Sequence, residues 1–207
     1  MDGKIQASPN RTINILVDPL PSEISGCRIE TNFRTMILFE QLIFADEIAE
    51  AQRLVMALNA FWVDSPKTFD EAVSGLLWFY QCGIDNRDGG YDEDGGPRAY
   101  DFDEDGEYIY AAFMQQYRID LQATPYLHWW QFRSLLNSLN EDTRIVKIMQ
   151  YRTADTSKMQ GEERRFYDRM KKQYRLKRLS KPEQEAQEIA ALLKNGGDLS
   201  ALLGGGN

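Results

Sequence analysis

Histidine is almost absent from this chain: His128 is the single one among 207 residues. General acid–base catalysis, nucleophile activation and most transition-metal sites set a histidine beside a second polar group. Around His128 the sequence offers only Leu127 and the pair Trp129–Trp130, so a histidine that serves the structure is expected and no catalytic residue is assigned. Cysteine is nearly as scarce. Cys27 and Cys82 lie far apart and belong to no CxxC pattern, which argues against a zinc site and against a disulfide scaffold. They fit a reduced, cytoplasmic setting, and Cys82, at the end of an apolar helix, reads as a small buried hydrophobe. No uninterrupted apolar run approaches about 18 residues, and the polar start "MDGKIQASPNRT" has no signal-peptide core, so nothing is expected to enter a membrane. Glycines follow no strand in GxGxxG or GxxxxGK order, which leaves no phosphate cradle. No repeat at a solenoid period is present.

What is abundant is apolar and acidic. A hydrophobic share of 43% with 12% aromatics is enough for a real core, in one domain with an extension or in two small ones. The net charge of −8 hides a division along the chain. Residues 1–143 carry 10 Lys/Arg against 24 Asp/Glu, residues 144–181 carry 13 against 4, and residues 182–207 carry 1 against 4. Most of the chain therefore repels polyanions, while one segment suits an acidic partner or a nucleic acid.

The expected fold is mainly α: a compact helical bundle with a small N-terminal β-hairpin and a C-terminal helical arm. "TINILV", Thr12 to Val17, is β-branched and stops at "DPLPSEISG", after which "CRIET" can run back as a second strand. From Phe33 to Trp62 there is neither proline nor glycine, which predicts two helices, or one bent helix, joined near Ala45 and Asp46. The second carries the stripe Ile48, Ala51, Val55, Leu58 and Trp62. Thr68 and Glu71 form a T-x-x-E capping box ahead of Phe69, Val73, Leu76, Leu77 and Tyr80, and Gly83 stops that helix. Residues 84–100 are rich in paired glycines and acids and read as an exposed loop. Thr124 as cap and Pro125 at the first helical position begin "YLHWWQFRSLLNSL", with Trp129, Phe132, Leu136 and Leu139 on one side. Asp142 caps a further short helix. Residues 1–152 thus form the hairpin and bundle, and residues 153–207 a basic amphipathic arm with a flexible tail.

The acids of "YDFDEDGEYIYAAF" invite a calcium reading. Counted from Asp101, the first six positions match an EF-hand loop, including Asp103, Asp105 and Gly106, but the twelfth, where a bidentate glutamate closes the cage, is Ala112. With Ile109, Ala112 and Phe113 following at helical spacing, the acids read instead as the entry of a helix, complementing its positive end. No metal or cofactor is assigned.

The aromatic run "HWW" lies among acids and continues into an apolar face, so core packing is expected rather than base stacking. In the arm, "EERRFYDRMKKQYRLKRL" is a basic helix whose apolar stripe is only Phe166, Met170 and Tyr174, and Pro182 restarts a shorter helix bearing Ala186, Ile189, Ala190 and Leu193. Such thin stripes need a neighbour, either the bundle or another molecule. A nucleic-acid-binding or head-completion and packaging factor acting through the basic helix 161–179 is the rival functional reading, opposed by the acidity of the rest.

Several phrases taken together, "ILVDPLPSEI", "ETNFRTMILFEQLIF", "EAVSGLLWFYQCG", "YDFDEDGEYIYAAFMQQYRIDL" and "LHWWQFRSLLNSL" followed by "DTRIVKIMQYR", make residues 13–152 resemble the bacteriophage "gene product fifteen" family of long-tailed phages. Members are usually encoded between the tail-tube and tape-measure proteins. The resemblance implies a non-enzymatic tail assembly chaperone that binds the tape-measure protein, helps recruit tail-tube subunits, acts in the host cytoplasm and is absent from the mature virion. Self-association is compatible with that role, nucleic acid is not an expected partner, and the family carries no catalytic motif to transfer. Physically, an acidic bundle with an amphipathic arm can cover apolar helical stripes on a partner while adding charge repulsion. The surface expected to do so is the 160–203 arm, through Phe166, Met170, Tyr174, Ile189 and Leu193.

Overall fold

A computed structural model describes residues 13–45, 48–83 and 98–177. Among these the chain is mainly α-helical with one small antiparallel hairpin, β1 (Glu23–Ile24) and β2 (Cys27–Arg28). The helices are α1 (Phe33–Ile43), α2 (Glu50–Phe61), α3 (Phe69–Tyr80), α4 (Gly106–Tyr117), α5 (Trp129–Asn137), α6 (Arg144–Thr153) and α7 (Gly161–Gln173), with a 3₁₀ turn at Thr156–Lys158. The described residues cluster into two compact units, one made of 13–45, 48–83 and 126–133, the other of 98–125 and 134–177.

In the first unit the hairpin sits later than the β-branched run suggests. Ser25 and Gly26 both take positive φ, 51° and 81°, the paired left-handed residues of a tight hairpin turn. Glu23 therefore faces Arg28, and Ile24 faces Cys27. Ile13–Val17 is not a strand. Asn14 and Asp18 close it into a turn: the Asn14 N–H donates to the Asp18 carboxylate at 2.9 Å, and the Asn14 side chain accepts from the Leu16 N–H at 3.0 Å. Side-chain bonds of this kind compete with a strand ladder.

Two separate helices, α1 and α2, follow. Asn32 caps α1, its side chain accepting from the Arg34 N–H at 3.1 Å. On α2 the buried residues are Ala57 and Phe61, while Val55, part of the expected stripe, is 48% exposed. "LVMAL" offers apolar residues in more than one helical phase, and the neighbours selected the other. α3 starts and stops as its local signals predict. The Thr68 hydroxyl accepts from the Glu71 N–H at 3.2 Å. At the far end Cys82 and Gly83 take φ of 58° and 75°, and a Cβ on Gly83 would lie 2.8 Å from the Trp130 ring. Replacing Thr68 by alanine leaves that N–H without its cap and is expected to cost about 1 kcal/mol in a urea titration; a change below about 0.3 kcal/mol would show that water replaces the hydroxyl at this end.

The aromatic core explains why α5 begins at Trp129 rather than at Pro125. Residues 126–128 run extended beside 31–33: the Phe33 N–H donates to the Leu127 carbonyl at 2.9 Å and the Trp129 N–H to the Thr31 carbonyl at 2.8 Å. Thr124 serves a different turn, its hydroxyl donating to the Asp120 carbonyl at 2.6 Å. Trp129, Phe132, Phe79 and Phe61 are completely buried, with Phe33 on Phe132 at 4.9 Å and Trp129 on Tyr80 at 5.6 Å between ring centres. The indole N–H groups of Trp129 and Trp130 donate to the carbonyls of Tyr80 and Phe79 at 2.9 and 2.8 Å. Two polar groups at the C-terminal end of α3 are thereby satisfied inside an apolar core. The expectation of core packing for "HWW" holds.

In the second unit Ile109, Phe113, Leu136, Ile145, Ile148 and Leu176 are buried. Thr143, one residue later than Asp142, occupies the cap position of α6. Among the described residues no helix is long and apolar enough to cross a membrane. Most of the acidic loop, up to residue 97, lies outside the described residues, as do Ile189, Leu193 and the end of the chain.

Candidate partner-binding surface

The acids before α4 anchor structure in the second unit. Asp101 accepts the N–H groups of Asp103 and Glu104 at 2.7 and 3.0 Å and the Arg98 guanidinium at 2.8 Å. Asp105 is the residue before the helix, yet its side chain does not cap it. Its two oxygens receive Arg152 at 2.5 and 3.0 Å, and one of them also receives the Asp101 N–H at 2.9 Å. The helix entry stands where the sequence puts it, but the carboxylate is spent on a buried ion pair and not on the helix dipole. Among the described residues no group of three or more His, Cys, Asp or Glu side chains converges as a metal site.

Arg152 links this entry to the arm. Its Nε donates to the Tyr174 carbonyl at 2.6 Å and its Nη1 to the Ala99 carbonyl at 3.0 Å. α7 then packs along α6 through one aromatic residue, Tyr151, whose ring meets Phe166 at 5.8 Å, Tyr167 at 6.0 Å and, stacked, Tyr174 at 6.0 Å. The Arg144 guanidinium bonds the Tyr174 hydroxyl and lies 5.4 Å from its ring centre. Lys171 donates to the Ala154 carbonyl at 2.5 Å, and Leu176, just past the helix, is only 3% exposed. The arm's described part, residues 161–177, thus packs on α6 in its own unit.

Of the five residues expected to contact a partner, Phe166 and Met170 lie on α7 and Tyr174 directly after it, and Ile189 and Leu193 fall outside the described residues. Tyr174 is committed to Tyr151 and Arg144, Met170 is half-buried, and Phe166 keeps 38% of its surface open. Opposite the packed side, Arg165, Arg169 and Lys172 are all exposed and, at 3.6 residues per turn, fall within about 60° of one another. The outside of α7 is a cationic stripe bordered by one open aromatic ring.

Other exposed apolar groups, on no helical stripe of the sequence, lie in the first unit. Leu16 and Val17, at the tip of the Asn14–Asp18 turn, are 86% and 78% exposed, and the signal for them was the Asn and Asp that bracket the run. His128 is buried, and both ring nitrogens are engaged. Nε2 lies 3.1 Å from the Pro21 carbonyl, which can only accept, so Nε2 carries the proton and Nδ1 accepts the Trp130 N–H at 3.1 Å. Burial lowers its pKa, partly opposed by the Pro21 carbonyl. Burial likewise pushes the Cys82 thiol up to about 11, with Arg133 acting the other way, the condition of an inert structural cysteine.

A family model described as "Bacteriophage Gp15 protein" matches residues 16–176, most of the chain. The chain belongs to this family. The match runs from the Leu16 turn through α7, so the Bacteriophage Gp15 family includes the helix that carries the cationic stripe, beyond the phrases that end at residue 152. Membership in the Bacteriophage Gp15 family places the chain among bacteriophage proteins and suggests a structural or assembly role. No curated protein and no solved structure matches the chain.

Proposed function

We propose that this protein is a non-enzymatic tail assembly chaperone. It binds the tape-measure protein and helps recruit tail-tube subunits in the host cytoplasm, and it does not remain in the mature virion. The observation that carries the reading is the family match extending over α7, a helix held to its unit by one side while Phe166 stays open on another. A long tape-measure helix with apolar stripes needs such a cover until the tube encloses it. His128, with both nitrogens engaged in holding α5 and the Pro21 segment, is assigned a structural role within this reading.

The test is co-expression of the full chain with the neighbouring tail proteins of its phage and capture of the complex. Wild type is expected to retain the tape-measure protein, and Phe166→Asp with Met170→Asp to lose most of it while keeping the helical circular dichroism spectrum. Point changes are preferred to truncation, because cutting at residue 160 would also remove the buried Leu176 and the Tyr174 stack. Undiminished capture by the double variant would remove α7 from the contact, and no capture by wild type would remove the chaperone reading. The cationic stripe favours a second reading, a nucleic-acid-binding or head-completion factor. It requires duplex DNA binding that weakens steeply with salt.

A further inference from the structure

We infer that the outer stripe of α7, Arg165, Arg169 and Lys172, docks on the acidic α4 entry of a second copy of this chain, so that the protein self-associates. All three residues are exposed, and no carboxylate among the described residues pairs with them; Arg169 lies over the Phe166 ring at 5.9 Å, and the ion pair on this helix is Arg164–Asp168 at 3.7 Å. A row of cations of this length, with no paired carboxylate among the described residues, suits an anionic surface on another molecule. The same unit carries one. Within this unit residues 98–125 and 134–142 hold 2 Lys/Arg against 8 Asp/Glu, and residues 143–177 hold 11 against 4, so the unit is divided into an acidic and a basic part. At the acidic part Asp103, Glu104 and Glu107, together with Lys177, line an open concavity of about 530 Å³; Asp103 and Glu107 are exposed, and Glu104 accepts the Lys177 backbone N–H at 2.7 Å.

A second copy suits the stripe better than a nucleic acid does. The whole chain is −8, so residues outside the basic segment oppose a phosphate backbone, whereas the acidic α4 entry of another copy presents the matching sign. Because stripe and concavity are different surfaces of one unit, every copy carries both halves of the contact, so two copies can satisfy both reciprocally and further copies can add through a half left open. Arg165 and Lys172 lie away from Phe166 and Met170, whereas the Arg169 guanidinium lies 5.9 Å from the Phe166 ring centre, so the stripe borders the chaperone contact proposed above without including it.

The experiment is sedimentation velocity on the full chain across a concentration series, at about 0.05 M and about 0.5 M salt, where screening differs strongly. Association is expected at low salt and its loss at high salt. Arg165→Glu/Arg169→Glu/Lys172→Glu and, separately, Asp103→Lys/Glu107→Lys should each weaken it by about tenfold or more, since each sets like charges opposite one another. Mixed together, the two variants regain complementary faces and should associate again. Circular dichroism verifies that both are folded. A wild type that stays monomeric at low salt, variants that associate like wild type, or a mixture that fails to recover would overturn the inference. Salt-sensitive DNA binding without self-association would assign the stripe to nucleic acid instead.

Discussion

Arg152→Ala is expected to lower the free energy of unfolding by about 3–5 kcal/mol, the cost of leaving one partner of a buried ion pair behind. The Asp105 side chain is 2% exposed and that of Arg152 8%, so bulk water cannot replace the guanidinium. The carboxylate would retain only the Asp101 N–H at 2.9 Å. The carbonyls of Tyr174 and Ala99 would lose their donors as well, which unfastens the start of α4 and the end of α7 together. Lysine should not rescue the change, because one ammonium cannot reproduce a two-pronged contact to Asp105 with further bonds to two carbonyls. Replacing both members by apolar residues of similar volume, Asp105→Leu with Arg152→Met, is expected to recover most of the loss, since the charge is then not stranded. Urea midpoints followed by circular dichroism decide the matter. A loss under about 1 kcal/mol for Arg152→Ala would mean that Asp105 finds water in the folded protein.

Trp129→Ala is expected to have an effect of similar size in the first unit, about 3–5 kcal/mol. Trp129 is completely buried, stacked between Tyr80 at 5.6 Å and Phe132 at 5.7 Å. Truncation leaves a cavity that the two flanking rings cannot close, because Phe132 is itself stacked on Phe33. The Tyr80 carbonyl also loses the indole N–H. Trp129→Phe separates the two contributions: it keeps most of the ring volume and should cost about 1–3 kcal/mol, mainly the unsatisfied carbonyl. All four tryptophans, Trp62, Trp78, Trp129 and Trp130, belong to the first unit, so fluorescence-detected unfolding reports on this core. Equal costs for alanine and phenylalanine would show that the hydrogen bond, and not packing, dominates here.

The elements that were legible beforehand are those whose signals are local. α3 carries its start in Thr68 and Glu71 and its stop in Gly83, and none of these depends on a distant residue. The entry of α4 after a run of short acidic residues was equally readable. What its acids do was not, because Arg152 lies 47 positions from Asp105 and no sequence spacing announces that pair. The start of α5 misleads for the same reason. Thr124–Pro125 is a valid opening signal, but the extended pairing of 126–128 beside 31–33 prevails. On α2 the apolar residues fit several helical phases, and only the neighbouring helices select Ala57 and Phe61 over Val55.

The amino-acid order alone settled that this is a mainly helical bacteriophage protein with its charge divided along the chain, because composition, periodicity, capping pairs and long family phrases are all properties of neighbouring residues. The folded chain decided which acids are buried against arginine, where the hairpin and α5 begin, and that α7 lies on Tyr151 with Arg165, Arg169 and Lys172 turned outward. Those outcomes rest on contacts between residues tens of positions apart, where burial and pairing outweigh local preference by several-fold.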